Sequence, residues 1–226
     1  MEHNAYIRRV VEPEILDSLP GDHPDAIASR ADLFLINAIM GNHGWLAKRA
    51  YQHLLHGDSV VELGAGDATL ARRLCARIAP DFEFHYRAID LGPQPENWPQ
   101  DPRFEWCQSN LLEVSRWNGA SMVLANLVLH HFSEPELRHI GQALNATRVL
   151  LAREPARCRA WMRYGLYPLR LHPVTRHDML VSIRAGFLGP ELITYLALQA
   201  EQWRTEVRIT TFNAYALEAV QHRRNA

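Results

Sequence analysis

Apolar positions recur at helical spacing near the start of the chain and in short strand-like runs after residue 58. Between Asp25 and Met40, Ile27, Ala31, Phe34, Leu35 and Ala38 form one stripe, which predicts an amphipathic helix. Pro20-Gly21-Asp22-His23-Pro24 is a turn ahead of it, and Gly41-Asn42-His43-Gly44 is a break after it. A second helix is expected from Trp45 to Leu55, with Leu46, Ala50, His53 and Leu54 near one face. Then the texture changes. Ser59-Val60-Val61-Glu62-Leu63 reads as a buried strand, Gly64-Ala65-Gly66 as a turn, and Asp67 to Ile78 as a helix carrying Leu70, Ala71 and Leu74. Further strands are expected at His85–Asp90, Phe104–Cys107, Ser121–Ala125 and Arg148–Ala152. Ser133 and Glu136 form a capping box for a helix between the last two.

Strands alternating with helices predict a parallel sheet covered on both faces. Two stretches depart from that rhythm. Pro93, Pro95, Pro99 and Pro102 leave little room for a crossover helix after the second strand. A long segment follows the fifth strand, with helical patterns at 179–187 and 191–198. The end of the chain, Glu206–Thr211 and Ala214–Val220, alternates as a β-hairpin and predicts an antiparallel edge. The domain plan is thus a helical lid over residues 1–56 and a main domain over 57–226, with a helical insertion at about 154–202.

Composition narrows the function classes. The chain has 226 residues, 47% hydrophobic and 22% charged, enough to bury a core without staples. Its net charge of −1 lacks the basic surplus of a phosphate-backbone binder, so no nucleic-acid partner is expected. Cys75, Cys107 and Cys158 form no CxxC pair and read as reduced thiols, which suggests a cytoplasmic protein. The first nineteen residues hold Glu12, Glu14 and Asp17 and no signal-peptide core, and no apolar run is long enough for a membrane span.

The chemistry concentrates at Glu62-Leu63-Gly64-Ala65-Gly66-Asp67-Ala68. A glycine turn at a strand end lets the backbone approach a ligand. Asp90, 26 residues after Gly64, ends the next strand, where a carboxylate can take both ribose hydroxyls. The pair points to an adenosine-type cofactor. Thr69 stands where a dinucleotide fingerprint has Gly or Ala, and Glu62 is a poor neighbour for a pyrophosphate but a good one for a cation. S-adenosyl-L-methionine, with a sulfonium and an amino group, suits such a pocket.

These residues resemble the class I S-adenosylmethionine-dependent methyltransferases, whose glycine motif E/D-x-G-x-G is matched by Glu62 to Gly66. Ala68 departs from the glycine that the family often has there. The resemblance implies a Rossmann-like, mostly parallel seven-stranded sheet. It implies Asp90 as the ribose acid and Asn110, in Gln108-Ser109-Asn110-Leu111-Leu112, as the adenine contact. The fourth-strand stretch Ala125-Asn126-Leu127-Val128-Leu129-His130-His131-Phe132 resembles the small-molecule branch. The cofactor-binding set is thus Glu62, Gly64, Ala65, Gly66, Asp90, Leu91, Asn110, Leu111 and Asn126.

Methyl transfer needs a nucleophile held in line with the departing sulfur, and a phenol or enol also needs its proton removed. His131 is the first candidate for a base; a helix-start packing role is its plainer reading. His177 with Asp178 is a second candidate pair, against a plain helix-start reading. Met40, Asn42, His43 and His130 are candidate substrate contacts, with Asn37 near them. Trp161, Tyr164, Tyr167, Phe187 and Tyr195 either wall an aromatic substrate or pack the core. Arg157, Arg159, Arg163, Arg170, Arg176 and Arg184 either meet a carboxylate or form a solvated face. The twelve histidines show no H-x-x-x-H with a third ligand, so no metal is expected.

The reading is methyl transfer to an oxygen of a small aromatic or polyketide-like acceptor, with a homodimer compatible. The rivals are a nicotinamide-dependent oxidoreductase and a non-catalytic cofactor-binding scaffold. An RNA acceptor is a further alternative, with no RNA-binding module visible.

Overall fold

The computed structural model describes residues 8–157 and 170–222. Cys158, Arg159, Trp161, Arg163, Tyr164 and Tyr167 lie outside the described residues. The helices are α1 (Ile15–Ser18), α2 (Pro24–Met40), α3 (Asn42–His53), α4 (Thr69–Cys75), α5 (Glu134–Ala143), α6 (Pro173–Ala185) and α7 (Glu191–Tyr195). The strands are β1 (Asp58–Leu63), β2 (Phe84–Asp90), β3 (Phe104–Gln108), β4 (Met122–Asn126), β5 (Val149–Pro155), β6 (Trp203–Ile209) and β7 (Ala214–Gln221). Among the described residues no helix is long and apolar enough to cross a membrane.

The strands form one seven-stranded sheet in the order β3-β2-β1-β4-β5-β7-β6. The first five are mutually parallel, and β7 runs antiparallel between β5 and β6. Period-two side chains feed two cores. In β4, Val123 and Ala125 enter one core with Leu137 of α5 and Leu192 of α7. Met122 and Leu124 enter the other with Leu46 of α3 and Leu70 of α4. In β5, Leu150 and Ala152 share the first core, Val149 and Leu151 the second. This double burial is why these strands read as unbroken apolar runs.

Three boundaries differ from expectation. The α2/α3 break is a single residue: Gly41 at φ +66 ends α2, and Asn42 already begins α3. Helix α4 begins at Thr69, not Asp67, because Ala68 is left-handed at φ +61. Helix α6 begins at Pro173, whose ring suits a first turn, so His177 and Asp178 lie in its second turn. Of the lid expected over residues 1–56, α2 faces the cleft at the sheet's edge, and α3 brings His43 to it while packing Leu46, Ala47 and Ala50 into the sheet's core.

Candidate active site

A cleft of about 1340 Å³ opens at the carboxyl ends of β1, β2 and β4. The β1/β4 junction is the point where strand order reverses, the usual ligand crevice of such sheets. The volume exceeds that of an ordinary single-ligand pocket, roughly 300–1,000 Å³.

Its polar half is built by the glycine turn. Gly64 adopts φ +67, and a Cβ there would lie 2.6 Å from Val128 Cγ2. The β4 turn therefore packs directly on bare backbone. The Gly66 N–H donates to Asp90 Oδ2 at 2.8 Å, and the Gly92 N–H donates to Asp90 Oδ1 at 2.8 Å. Asp90 thus ties the turn after β1 to the turn after β2 while keeping acceptor lone pairs for a ligand.

Glu62 is buried on β1, where the Tyr86 hydroxyl donates to it. Burial pushes its carboxyl up to about 8; the Tyr86 hydrogen bond opposes the shift, and the charges of Asp67 and Asp90 add to it. Asn126, at the end of β4, donates through Nδ2 to Asn37 Oδ1 and His43 Nε2, each at 3.2 Å. Its Oδ1 is buried with no hydrogen-bond partner among the described residues. His43 is held below its usual pKa by burial first and by Arg73 and Arg72, which suits a ring nitrogen that accepts.

Several expected residues fall elsewhere. Leu91 is 72% exposed and does not line the cleft. Asn110 is exposed and accepts the Leu112 N–H at 2.9 Å, a turn within its own loop. Leu111 is core, its carbonyl accepting from Trp117 Nε1 at 2.7 Å. Asn42 is buried behind the wall: Arg153 Nε donates to its Oδ1 at 3.1 Å, and its Nδ2 donates to Asn37. Met40, Asn37 and His43 do line the cleft.

The other half gathers charge that the sequence did not reveal. Residues 9–17 strap across α6. Asp178 accepts the N–H groups of Ile15 and Leu16, each at 2.9 Å, and Glu12 pairs with Arg184. The strap delivers Glu14 and Asp17 to the turn holding His130 and His131. His177 is half-exposed, touches Asp178 at 2.9 Å and does not line the cleft; its acid serves the strap. Buried Glu154 on β5 accepts the N–H groups of Val128, Leu129 and His130 and pairs with His130 Nδ1 at 2.7 Å. Burial pushes the His130 ring down, but the neighbouring carboxylates of Glu14 and Glu154 outweigh it and raise it to about 9. Burial and the neighbouring His130 charge push His131 down to about 4, so it is neutral at physiological pH. Apolar walls come from Leu33, Phe34, Met179, Ile183 and Phe212.

Glu14, Asp17 and Phe212 were missed because their contacts span long sequence separations, and Asp178, expected to orient His177, also takes the strap amides. The one available signal was the acid-rich run before residue 20. Phe187 and Tyr195 do not line the cleft and pack with Arg9, whose guanidinium sits 4.8 Å and 5.7 Å from the two rings.

No protein-family model and no curated protein matches the sequence. Solved structures do match in shape. The plantazolicin methyltransferase BpumL, crystallised with a triazolic desmethylPZN analog and SAH, superposes with a TM-score of 0.69 at 10% identity, over 92% of this chain and 93% of that one. The pyocyanin biosynthetic protein PhzM gives 0.57 at 16% identity, over 93% of this chain and 62% of PhzM. The CurJ carbon methyltransferase gives 0.53 at 16% identity, over 82% and 55%.

This chain has the class I methyltransferase fold. In that fold the glycine turn, Asp90 and the β4 turn meet at one crevice, as the motif resemblance implied. The donor set also fits the cofactor class: Glu62, Asp90 and the unpartnered Asn126 Oδ1 are all acceptors, suited to an ammonium and a ribose diol.

Proposed function

We propose that this protein transfers a methyl group from S-adenosyl-L-methionine to an oxygen of a small aromatic or polyketide-like molecule. The observation that carries the reading is the crevice itself: Asp90 braced by two turn amides, Glu62 buried beneath, and an unpaired Asn126 Oδ1 on the same wall. The cofactor, when bound, supplies an electrophilic methyl on a sulfur that departs readily. The protein's part is position and exclusion of water.

Asp90 accepts from the ribose hydroxyls with the lone pairs that Gly66 and Gly92 leave open. Glu62, ionised against a cation, and Asn126 Oδ1 hold the ammonium end. Helix α2 and the 9–17 strap cover the acceptor, whose ring meets Phe34, Met179 and Phe212. His131, kept neutral, lines the acceptor side of the cleft, where the acceptor hydroxyl would lie. The methyltransferases crystallised on this fold with SAH support the chemistry, and the carboxylate beneath the turn favours a sulfonium nucleoside over a dinucleotide.

Calorimetry tests the cofactor assignment. The protein should bind S-adenosylhomocysteine and not NAD. Asp90→Ala should weaken binding by about 1–3 kcal/mol, roughly 5- to 150-fold. Tight NAD binding, or unchanged affinity in the variant, would overturn it. Release of S-adenosylhomocysteine over a panel of phenols tests the acceptor class; turnover confined to amines would replace the oxygen reading.

A further inference from the structure

In the acceptor half of the cleft, one cluster holds a buried nitrogen that makes no hydrogen bond among the described residues. His130 Nδ1 pairs with Glu154 Oε2 at 2.7 Å, and Glu154 is wholly buried and caps the same turn through three backbone amides. That contact fixes the ring and aims Nε2 at the Glu14 carboxylate. Nε2 is buried and has no hydrogen-bond partner among the described residues; Glu14 Oε1 lies 3.6 Å away, beyond hydrogen-bond reach. His131 stacks beside it, ring centroids 4.1 Å apart. Ligand atoms of Glu14, His130 and His131 all fall within 4.8 Å of one another.

This is the chemistry of a metal centre. Ligands about 2.1 Å from a tetrahedral ion sit roughly 3.4 Å apart, close to the Glu14–His130 spacing. A carboxylate holding the far nitrogen of a ligating histidine is the usual outer support, and Glu154 supplies it. Ser182 donates its hydroxyl to Glu14 and steadies that ligand. The charges of Glu14 and Glu154 balance a dication. Two imidazoles select zinc-like transition metals over magnesium or calcium.

We propose that Glu14, His130 and His131 bind a divalent transition-metal ion, with an open coordination position facing the acceptor half of the cleft. Metal binding stands on this cluster alone. The role of the open position rests on the methyl-transfer reading: an acceptor hydroxyl bound there loses its proton to solvent more readily, and the oxygen keeps its lone pair for the methyl. His131 then serves as a ligand and holds no proton of the acceptor.

The test uses the full chain, stripped with chelator and titrated with Co²⁺. One ion per chain should bind, with visible d–d bands, displaced by Zn²⁺ and not by Mg²⁺. His131→Ala and Glu14→Gln should weaken Co²⁺ binding roughly 100-fold, while His139→Ala leaves it unchanged. Should either ligand variant lose its fold, the wild-type melting point decides, since Co²⁺ should raise it and Mg²⁺ should not. Asp90→Ala should bind Co²⁺ as wild type does, so failure of the cofactor assignment and failure of the metal site are separate results. A wild-type protein that takes up no Co²⁺, or a His131→Ala variant that binds it equally well, overturns the proposal.

Discussion

Glu62 shows how burial ties one carboxyl to pH. Its folded pKa of about 8 stands well above the ordinary carboxyl value of 4.5. The folded state therefore keeps a proton that the unfolded chain has lost. Stability from this carboxyl is full below about pH 4.5 and drains away as pH rises to about 8. On the proposed function, a bound ammonium reverses the preference and expels the proton. Near pH 7, calorimetry in buffers of different ionisation enthalpy should find about one proton released per cofactor, and none in Glu62→Gln. Glu62→Gln should also melt several degrees higher than wild type at pH 8.5 without ligand, and equally at pH 4.5. Equal proton release in both proteins would remove Glu62 from the ligand contact. The role of this acid was legible from its place before the glycines; its pKa was not, because Tyr86 and the burial belong to the folded sheet.

Among elements, the strands and the glycine turn follow from local pattern, because each buries side chains on both sheet faces and must read as a continuous apolar run. The strap is different. Its residues 9–17 have no periodicity, and contacts to distant elements hold them, a buried acid on α6 among them. Asp178 receives two backbone N–H bonds from Ile15 and Leu16. Asp178→Ala removes both, each worth roughly 1.5–3 kcal/mol to a charged acceptor. Amide exchange over residues 9–17 should accelerate at least about tenfold, while the strands keep their protection. Unchanged exchange would mean that the strap is held by other contacts, such as Arg184 with Glu12.

At the scale of the molecule, the cleft is shared by the sheet edge, α2, α6 and the strap, so a ligand there stabilises them together. S-adenosylhomocysteine at about a hundred times its Kd should add about 2.7 kcal/mol to stability. For a chain of this size that is a rise of roughly 5–10 °C in Tm, seen in a thermal melt. No shift at saturating ligand would contradict the assignment of the crevice to the cofactor.

The order of strands and helices, the glycine turn and Asp90 were determined by the sequence alone, since propensity, periodicity and turn chemistry act over a few residues. The meeting of Glu14 with His130 and His131 was decided only by tertiary structure. Some 116 residues separate Glu14 from His130, and no local rule relates them. Likewise Asn110 and Leu111, placed by motif beside the cofactor, are held by their own loop and by the core, and His177 serves a strap contact outside the cleft. A side chain's role at a sheet edge depends on which distant element packs over it, and that is a property of the assembled fold.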